Sequence, residues 1–273
     1  MISKIASLNA TVLGTGPKTV VFANGLGTSQ KTWRHQVAAL QDECRLVLFD
    51  FVGTPDSDLT AYRPERYDSI YAHADDAIAL LDELDVSDVT FVGHSVGGMV
   101  GVLTALAEPD RVTDLVLIAA SPRYLDDGKY VGGASREMVD AVLASATADY
   151  HAWVSGFSPL IIGDGNAEQF VQEFDDSLKR MRPDVASQTL KTIFLSDLRD
   201  VLPKVQQHVT VIQPRADHVV PVAVGEYMAA HFPSAELQIL ETVGHVPHLT
   251  APDQITRILR VALGLSEPAL SAD

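Results

Sequence analysis

The stretch that decides the fold spans residues 89–107 and reads "VTFVGHSVGGMVGVLTALA". Its first residues are β-branched or aromatic, as in a buried strand, and the small and apolar residues from Gly98 onward are typical of a buried helix. Ser95 lies at the junction, with Gly93 and Gly97 on either side. Glycines permit the sharp turn and the close backbone approach that such a junction needs. We therefore predict a strand–turn–helix unit that presents the Ser95 hydroxyl as a nucleophile elbow does.

The composition excludes several classes of function. The chain has 273 residues and a formal net charge of −16, which argues against nucleic acid and anionic membranes as partners. Cys44 is the single cysteine, so neither an intramolecular disulfide nor a cysteine metal cluster can form. The sequence contains neither a signal-like apolar start nor an apolar run long enough to cross a membrane. We expect a cytoplasmic protein.

Short apolar runs alternate with stretches of helical spacing along most of the chain. Such runs are typical of parallel strands buried on both faces, and the alternation predicts an α/β fold with right-handed crossovers. Besides residues 89–94, the runs are "KTVVFANG" (18–25), "CRLVLFDFVG" (44–53), "DLVLIAAS" (114–121), "HVTVIQPR" (208–215) and "ELQILETVG" (236–244).

The pattern changes between residues 123 and 195, where only helical spacing is found. Four apolar residues there fall on one helical stripe: Phe170, Phe174, Leu178 and Met181. We interpret residues 123–195 as a helical lid inserted over the carboxyl edge of the sheet. The two parts of the α/β core would then be residues 1–122 and residues 196–273.

A serine hydroxyl is a weak nucleophile and needs a base that a third group orients. In enzymes with a nucleophile elbow the chain order is serine, acid, histidine, each at the end of a strand. Asp217 follows the run "VTVIQPR", and His245 follows "LQILETV" 28 residues further on. That spacing leaves room for one helix, near residues 222–231, and one strand. We therefore predict a catalytic triad of Ser95, Asp217 and His245.

Other residues of the sequence could fill the same roles. His218 adjoins the predicted acid and fits a loop residue better, and His248 fits the approach to the next helix. His94 precedes the serine, a position that usually faces away from the reacting centre. The run "DLVLIAA" could also supply the acid, but no carboxylate follows it until Asp126. These comparisons favour Asp217.

A tetrahedral oxyanion needs preorganised donors. We predict the backbone N–H groups of Val96 and Leu26, the latter in the loop Asn24-Gly25-Leu26-Gly27. The alternative for this loop is a plain Asn-Gly turn. The segment "GDGNAEQF" only partly matches a calcium loop, so the sequence implies neither a metal site nor a cofactor.

With these residues placed, the sequence resembles the α/β-hydrolase superfamily over nearly its whole length. Within it, the chain is similar to the branch of the bacterial stress-response regulator RsbQ and the plant strigolactone and karrikin receptors. Five segments carry this resemblance: "FVGHSVGGMVGVLTA" (91–105), "SPRYLDDGKYVGG" (121–133), "DYHAWVSGFSPLIIG" (149–163), "MRPDVA" (181–186) and "TIFLSDLRDVLPKV" (192–205). The resemblance implies an α/β-hydrolase fold with a V-shaped lid of four helices above a deep apolar pocket.

The resemblance also implies which residues form that pocket. Carried over by matching segments, the pocket residues are Leu26, Tyr124, Trp153, Phe157, Ile193, Phe194 and Val219. Independently, Trp153 and Phe157 are spaced i, i+4, so one helical face can present both rings. The alternative is that these aromatic residues only pack the lid onto the sheet.

Two residues depart from the family pattern. Leu26 stands where relatives tend to have phenylalanine, and Ala134, in "KYVGGAS", stands where "YYGGF" is typical. Both changes remove ring volume, so we expect a wider or differently shaped site. The butenolide ligands of the plant receptors therefore cannot be assumed for this chain.

Three hypotheses of function follow. The first is a serine hydrolase of a small, mostly apolar ester or lactone. The second is a slow or single-turnover ligand sensor that binds a protein partner through its lid, as a stress-response regulator of a phosphatase does. The third is a scaffold with a relic triad. Epoxide hydrolases and dehalogenases are excluded because their elbow carries an aspartate where this chain has Ser95.

Overall fold

The computed structural model describes residues 3–266. Seven strands form one sheet in the order β1-β3-β2-β4-β5-β6-β7, in which β1 is antiparallel to its neighbour and all other pairs are parallel. The strands are β1 (Thr11–Leu13), β2 (Lys18–Ala23), β3 (Cys44–Phe49), β4 (Val89–His94), β5 (Val112–Ile118), β6 (His208–Ala216) and β7 (Ala235–Val243). The predicted α/β fold with a mostly parallel sheet is confirmed.

Eleven α-helices connect and cover these strands within the described part of the chain. They are α1 (Lys4–Ser7), α2 (Arg34–Leu40), α3 (Tyr71–Leu84), α4 (Val96–Ala107), α5 (Arg136–Ala148), α6 (Tyr150–Ile162), α7 (Glu168–Lys179), α8 (Pro183–Leu195), α9 (Val222–His231), α10 (Pro247–Thr250) and α11 (Pro252–Ala262). Between residues 3 and 266, no helix combines the length and the apolar character needed to cross a membrane.

The apolar runs form strands because both faces of the sheet are buried. Successive side chains point to opposite faces of a strand. In β2, Val20 and Phe22 therefore join the apolar cluster that contains α11, whereas Val21 and Ala23 join the cluster that contains α3 and α4. Helices on both faces give the three-layer arrangement that a parallel sheet requires.

The sheet register brings the functional loops to one edge. Ala23 at the end of β2 pairs with Gly93 near the end of β4, and Ala216 pairs with Val243 at the ends of β6 and β7. Since these strands are parallel, their carboxyl ends meet at the same edge. The loops with the predicted nucleophile, acid, base and oxyanion donors all begin there.

The four helices α5–α8 lie between β5 and β6 in the chain and form the lid. The two ends of this segment are joined by a 2.8 Å hydrogen bond from the Leu198 N–H to the Pro122 carbonyl. An ion pair between Arg34 and Glu173 connects α7 to the core at 2.7 Å. The lid is thus held to the core where its two ends meet and also through α7.

Candidate active site

Ser95 is held in an unusual backbone conformation between β4 and α4. Its φ is 54° and its ψ is −124°, a backbone region that residues other than glycine rarely adopt. A Cβ atom on Gly93 would lie 2.3 Å from the Gly97 carbonyl oxygen, and one on Gly97 would lie 2.5 Å from the Asn24 oxygen. Only glycine fits at both positions, so the G-x-S-x-G spacing is a packing requirement of the turn.

The structure brings Ser95, His245 and Asp217 together in one hydrogen-bonded chain. Ser95 Oγ lies 2.9 Å from His245 Nε2, and His245 Nδ1 lies 2.7 Å from Asp217 Oδ2. Because a carboxylate only accepts, Nδ1 carries the imidazole proton and Nε2 is free to accept the serine proton. This geometry can activate Ser95 as a nucleophile.

Asp217 is kept ionised inside the protein. Burial alone would raise the pKa of its carboxyl group, but the neighbouring His245 and the hydrogen bonds that the carboxylate accepts hold that pKa below its usual value. Two of these bonds come from the backbone N–H groups of Val219 and Val220 to Oδ1, at 2.8 and 3.1 Å. Asp217 can therefore fix the imidazole and stabilise its protonated form.

His245 is also held through its backbone, from two sides. Its N–H donates to the carbonyl oxygen of Ile161 in α6 at 2.7 Å, and its own carbonyl accepts from His94 Nε2 at 2.8 Å. The expectation that His94 faces away from the reacting centre is wrong, because its ring centroid lies 5.0 Å from that of His245. Burial lowers the pKa of His94 to about 3, so this ring stays neutral and its N–H remains a donor.

The predicted oxyanion loop passes directly beside the elbow. A Cβ atom on Gly25 would lie 2.5 Å from His94 Nδ1 and 3.2 Å from the Ser95 Cβ. Within residues 3–266 the backbone N–H groups of Leu26 and Val96 have no acceptor, so both remain available to a ligand. Their role as oxyanion donors remains a prediction.

Asn24 anchors this loop, a function that sequence reasoning missed. Its Nδ2 donates to the Phe49 carbonyl and to Asp50 Oδ1, both at 2.9 Å, and its Oδ1 accepts from Trp33 Nε1 at 2.7 Å. An Asn-Gly pair after a strand indicates a turn. The buried partners of the amide come from β3 and the segment before α2, which local sequence cannot reveal.

A small cavity, here called the reaction chamber, lies above Ser95 and has a volume of about 30 Å³. Six of the seven predicted pocket residues line it together with Ser95 and His245: Leu26, Tyr124, Phe157, Ile193, Phe194 and Val219. Trp153 is outside this lining and instead stacks on Phe157, with ring centroids 4.8 Å apart. Three further lining residues, His94, Ile161 and Phe174, were missed. The direction of the last two depends on how the lid helices pack.

Ala134, the other departure from the family pattern, is also outside the lining of the reaction chamber. Its N–H donates to the Tyr124 carbonyl at 3.1 Å, in the segment that leads into α5. Tyr124 Oη lies 3.4 Å from Ser95 Oγ, and burial raises the pKa of this phenol to about 12. Tyr124 therefore stays protonated and can donate a hydrogen bond beside the nucleophile.

The site contains no group of acidic, histidine and cysteine side chains placed to hold a metal ion, nor does the rest of the chain between residues 3 and 266.

Known proteins are similar to this chain over most of its length. Residues 20–258 match the model of the "Alpha/beta hydrolase family". The chain is 41% identical to the "Karrikin insensitive 2 receptor CA" of Petunia hybrida over 92% of its own length and 93% of the receptor's. It is 36% identical to the "Strigolactone esterase D14" of Arabidopsis thaliana, with 95% and 97% covered.

A solved structure is similar over nearly the whole chain. The hydrolase olei00960 from Oleispira antarctica superimposes with a TM-score of 0.93 at 29% identity, covering 96% of this chain and 97% of that one. The family model and the plant receptors confirm the resemblance that the sequence carries. The chain belongs to the α/β hydrolase family, and its relatives include plant proteins named as a strigolactone esterase and as a karrikin insensitive 2 receptor.

Proposed function

We propose that the protein is a serine hydrolase that cleaves a small, mostly apolar ester or lactone. The observation that carries the proposal is the hydrogen-bonded chain from Ser95 through His245 to Asp217 at the base of an apolar chamber. The strained Ser95 backbone supports it as well, since strain of this kind costs roughly 1–3 kcal/mol and persists mainly at functional sites.

In the first half-reaction, Ser95 Oγ attacks the carbonyl carbon of the substrate. The serine proton passes to His245 Nε2 as the new C–O bond forms, and Asp217 stabilises the resulting imidazolium. The backbone N–H groups of Leu26 and Val96 bind the oxyanion. When the tetrahedral intermediate collapses, the bond to the leaving oxygen breaks and that oxygen takes the proton from His245.

In the second half-reaction, water replaces the leaving group. His245 Nε2 accepts a proton from the water as its oxygen attacks the acyl carbon, and then returns a proton to Ser95 Oγ. The products are a carboxylic acid and an alcohol, or a single hydroxy acid when the substrate is a lactone. No cofactor takes part in these steps.

The lining of the reaction chamber sets the class of substrate. Among its lining residues, Phe157, Phe174 and Phe194 supply aromatic faces, and His94 and His245 are the only ionisable groups besides the phenol of Tyr124. A charged substrate would lose its hydration without a counter-ion. We therefore infer a neutral ester or lactone, a class that includes the substrate in the name of the strigolactone esterase relative.

The proposal is tested by steady-state hydrolysis of p-nitrophenyl acetate and p-nitrophenyl butyrate. We expect repeated turnover by the unaltered protein and loss of at least about 10³-fold in kcat for Ser95→Ala. Ser158→Ala is the matched control, since Ser158 is buried in α6 and only bonds its own helix. Equal rates for the unaltered protein and Ser95→Ala would contradict the proposal.

A second function, a ligand sensor that binds a protein partner through its lid, has one specific observation in its favour. The 2.7 Å bond from the His245 N–H to the Ile161 carbonyl links the catalytic histidine to α6 of the lid. Chemistry at His245 can therefore be transmitted to the lid surface. That surface exposes three large apolar side chains, Val131, Met138 and Leu160, each more than half exposed.

The two functions predict different kinetics. A sensor of this kind, similar to a stress-response regulator of a phosphatase, would release one burst of nitrophenol per protein molecule and then stop. It would also bind its partner only after exposure to the ligand. Steady turnover well beyond one equivalent, with unchanged association behaviour, would leave hydrolysis as the function.

A further inference from the structure

A second cavity, here called the distal chamber, lies beside the reaction chamber. The two cavities share Leu26 and Ile193 in their linings, so these two side chains form the partition between them. The distal chamber has a volume of about 20 Å³. Its other walls include Phe51, Tyr67 and His73 from the core, and Met181, which follows the lid helix α7. The mechanism described above uses none of these four residues.

His73 is the unusual member of this wall. It belongs to α3, its side chain is buried, and its ring lies between those of Phe51 and Tyr67, at centroid distances of 4.8 and 5.0 Å. Within the described residues neither ring nitrogen makes a hydrogen bond, and Nδ1 is fully closed to solvent. A buried polar group without a partner costs free energy that a ligand can recover.

The other polar side chains of the distal chamber already have partners. Tyr67 Oη donates to Asp76 Oδ2 at 2.7 Å, and Thr189 Oγ1 donates to the Val185 carbonyl at 2.8 Å. Thr54 Oγ1 likewise donates to a backbone carbonyl at 2.7 Å. His73 is therefore the uncommitted polar group of this cavity.

His73 can offer a ligand hydrogen bonds from an uncharged imidazole. Burial lowers the pKa of its imidazole to about 4, so the ring is uncharged near neutral pH. A neutral imidazole has one N–H donor and one acceptor nitrogen. The nearest carboxylate on the same helix, Asp76, is already neutralised by Lys4 and Arg66, each at 2.6 Å.

We propose that the distal chamber is a second ligand subsite, in which His73 hydrogen-bonds a neutral oxygen on the part of the ligand remote from its scissile carbonyl. The ligand is then a two-part molecule: an ester or lactone group that reaches Ser95, and an apolar body with a carbonyl or hydroxyl oxygen at its far end. The ester or lactone group of this ligand rests on the proposed function, whereas the subsite rests on His73 and the shared partition.

Ligand entry into both chambers requires the partition to move. Each cavity has room for only one or two water molecules, so neither accommodates a ligand without displacement of side chains. Leu26 is only half-buried and has a flexible side chain between two glycines. A rotamer change there would join the two chambers into one elongated site.

The test compares two series of p-nitrophenyl esters of graded acyl length, one of plain alkanoates and one with a ketone next to the chain end. At the length that reaches the distal chamber, we expect kcat/KM for the ketone ester to exceed that for the plain ester by about tenfold, chiefly through KM. In His73→Phe this ratio should fall to about one, which means no preference for the ketone ester, and His73→Gln should retain part of the preference. Because the ratio is taken within one protein, a general loss of activity cancels.

Two further variants sharpen the experiment. His35→Phe, on the exposed face of α2, is the matched control and should keep the ratio. Leu26→Phe thickens the partition and should penalise long esters of both series relative to acetate. An unchanged ratio in His73→Phe, or no ketone preference at any length in the unaltered protein, would overturn the proposal.

The outcome also separates this inference from the proposed function. Calorimetric binding of a long diketone, the non-hydrolysable analogue of the ketone esters, is measured with Ser95→Ala and with Ser95→Ala/His73→Phe. If no ester is hydrolysed but His73→Phe weakens diketone binding about tenfold, the subsite stands and the hydrolase function falls. If esters are hydrolysed and the two affinities are equal, the hydrolase function stands and the subsite falls.

Discussion

Asp217 and His245 are joined by a 2.7 Å hydrogen bond, and their side chains are 0% and 6% exposed. A bond so well shielded from water fixes the imidazole in one orientation and one tautomer. Asp217→Asn should leave the fold intact and reduce kcat by about 10⁴-fold, because an amide in this place favours the wrong tautomer. The measurement is kcat for p-nitrophenyl acetate together with circular dichroism, and a loss below about tenfold would contradict the role assigned to Asp217.

The backbone conformation of Ser95 predicts a trade between stability and activity. Glycine tolerates a φ of 54° without strain, whereas alanine does not. Relief of roughly 1–3 kcal/mol of strain exceeds the added chain entropy of about 1 kcal/mol, so Ser95→Gly should be more stable than Ser95→Ala by about 1 kcal/mol. Both variants should be inactive. Urea unfolding checks the order, and equal or reversed stabilities would show that the elbow is unstrained.

Two glycines in helices form a matched pair for the packing of the elbow. A Cβ atom on Gly97 in α4 would lie 2.5–2.6 Å from the carbonyl oxygens of Asn24 and Ala23, whereas one on Gly156 in α6 meets nothing within 4 Å. Gly97→Ala should destabilise the protein by more than about 2 kcal/mol and displace the oxyanion loop. Gly156→Ala should be neutral, or more stable by up to about 1 kcal/mol. Thermal unfolding and kcat of both variants check this. Unchanged stability and kcat in Gly97→Ala would refute the close contact of α4 with the carbonyl oxygens of Asn24 and Ala23.

Three buried histidines predict a loss of stability in mild acid. Burial lowers the pKa of His73 to about 4 and that of His94 to about 3, and holds that of His248 well below the usual value. The unfolded chain binds protons at these histidines below about pH 6.5 while the folded chain does not, so stability is full above that pH and falls as the pH drops towards 4. At about pH 5, His73 and His94 should each cost about 2 kcal/mol of unfolding free energy relative to about pH 7.5.

His73→Phe provides the check on this pH dependence. The variant should lose about 2 kcal/mol less between about pH 7.5 and pH 5 than the unaltered protein. Asp217 contributes equally to stability at both pH values. Its pKa is lowered by folding, so its contribution is present above the pKa of the unfolded chain and is lost only in stronger acid. Urea unfolding at both pH values measures the difference, and identical losses would contradict a neutral, buried His73.

The fold could be predicted because its signals are local. Buried parallel strands need continuous apolar runs, and the spacing between the last two runs leaves room for one helix, which the structure has at Val222–His231. The order of Ser95, Asp217 and His245 at strand ends could be found in the same way, since the carboxyl ends of parallel strands meet at one edge.

The walls of the site were less accessible to sequence reasoning. Whether Trp153 or Ile161 faces Ser95 depends on the rotation of α6 against α7, which no local pattern determines. The anchoring of Asn24 depends on β3, and the contact of His94 with the His245 carbonyl joins residues far apart in the chain. Side-chain direction at such long-range contacts is decided by packing, and packing is known only in three dimensions.

In the proposed mechanism Ser95 carries the acyl group during hydrolysis, and mass spectrometry of the intact protein and of its peptides tests this step. The protein is mixed with p-nitrophenyl butyrate, quenched in acid within the first turnover, and digested. We expect one butyryl group per molecule, on the peptide that contains Ser95, and none in Ser95→Ala. Hydrolysis without any adduct in the unaltered protein, or a butyryl group on another residue that persists in Ser95→Ala, would contradict it.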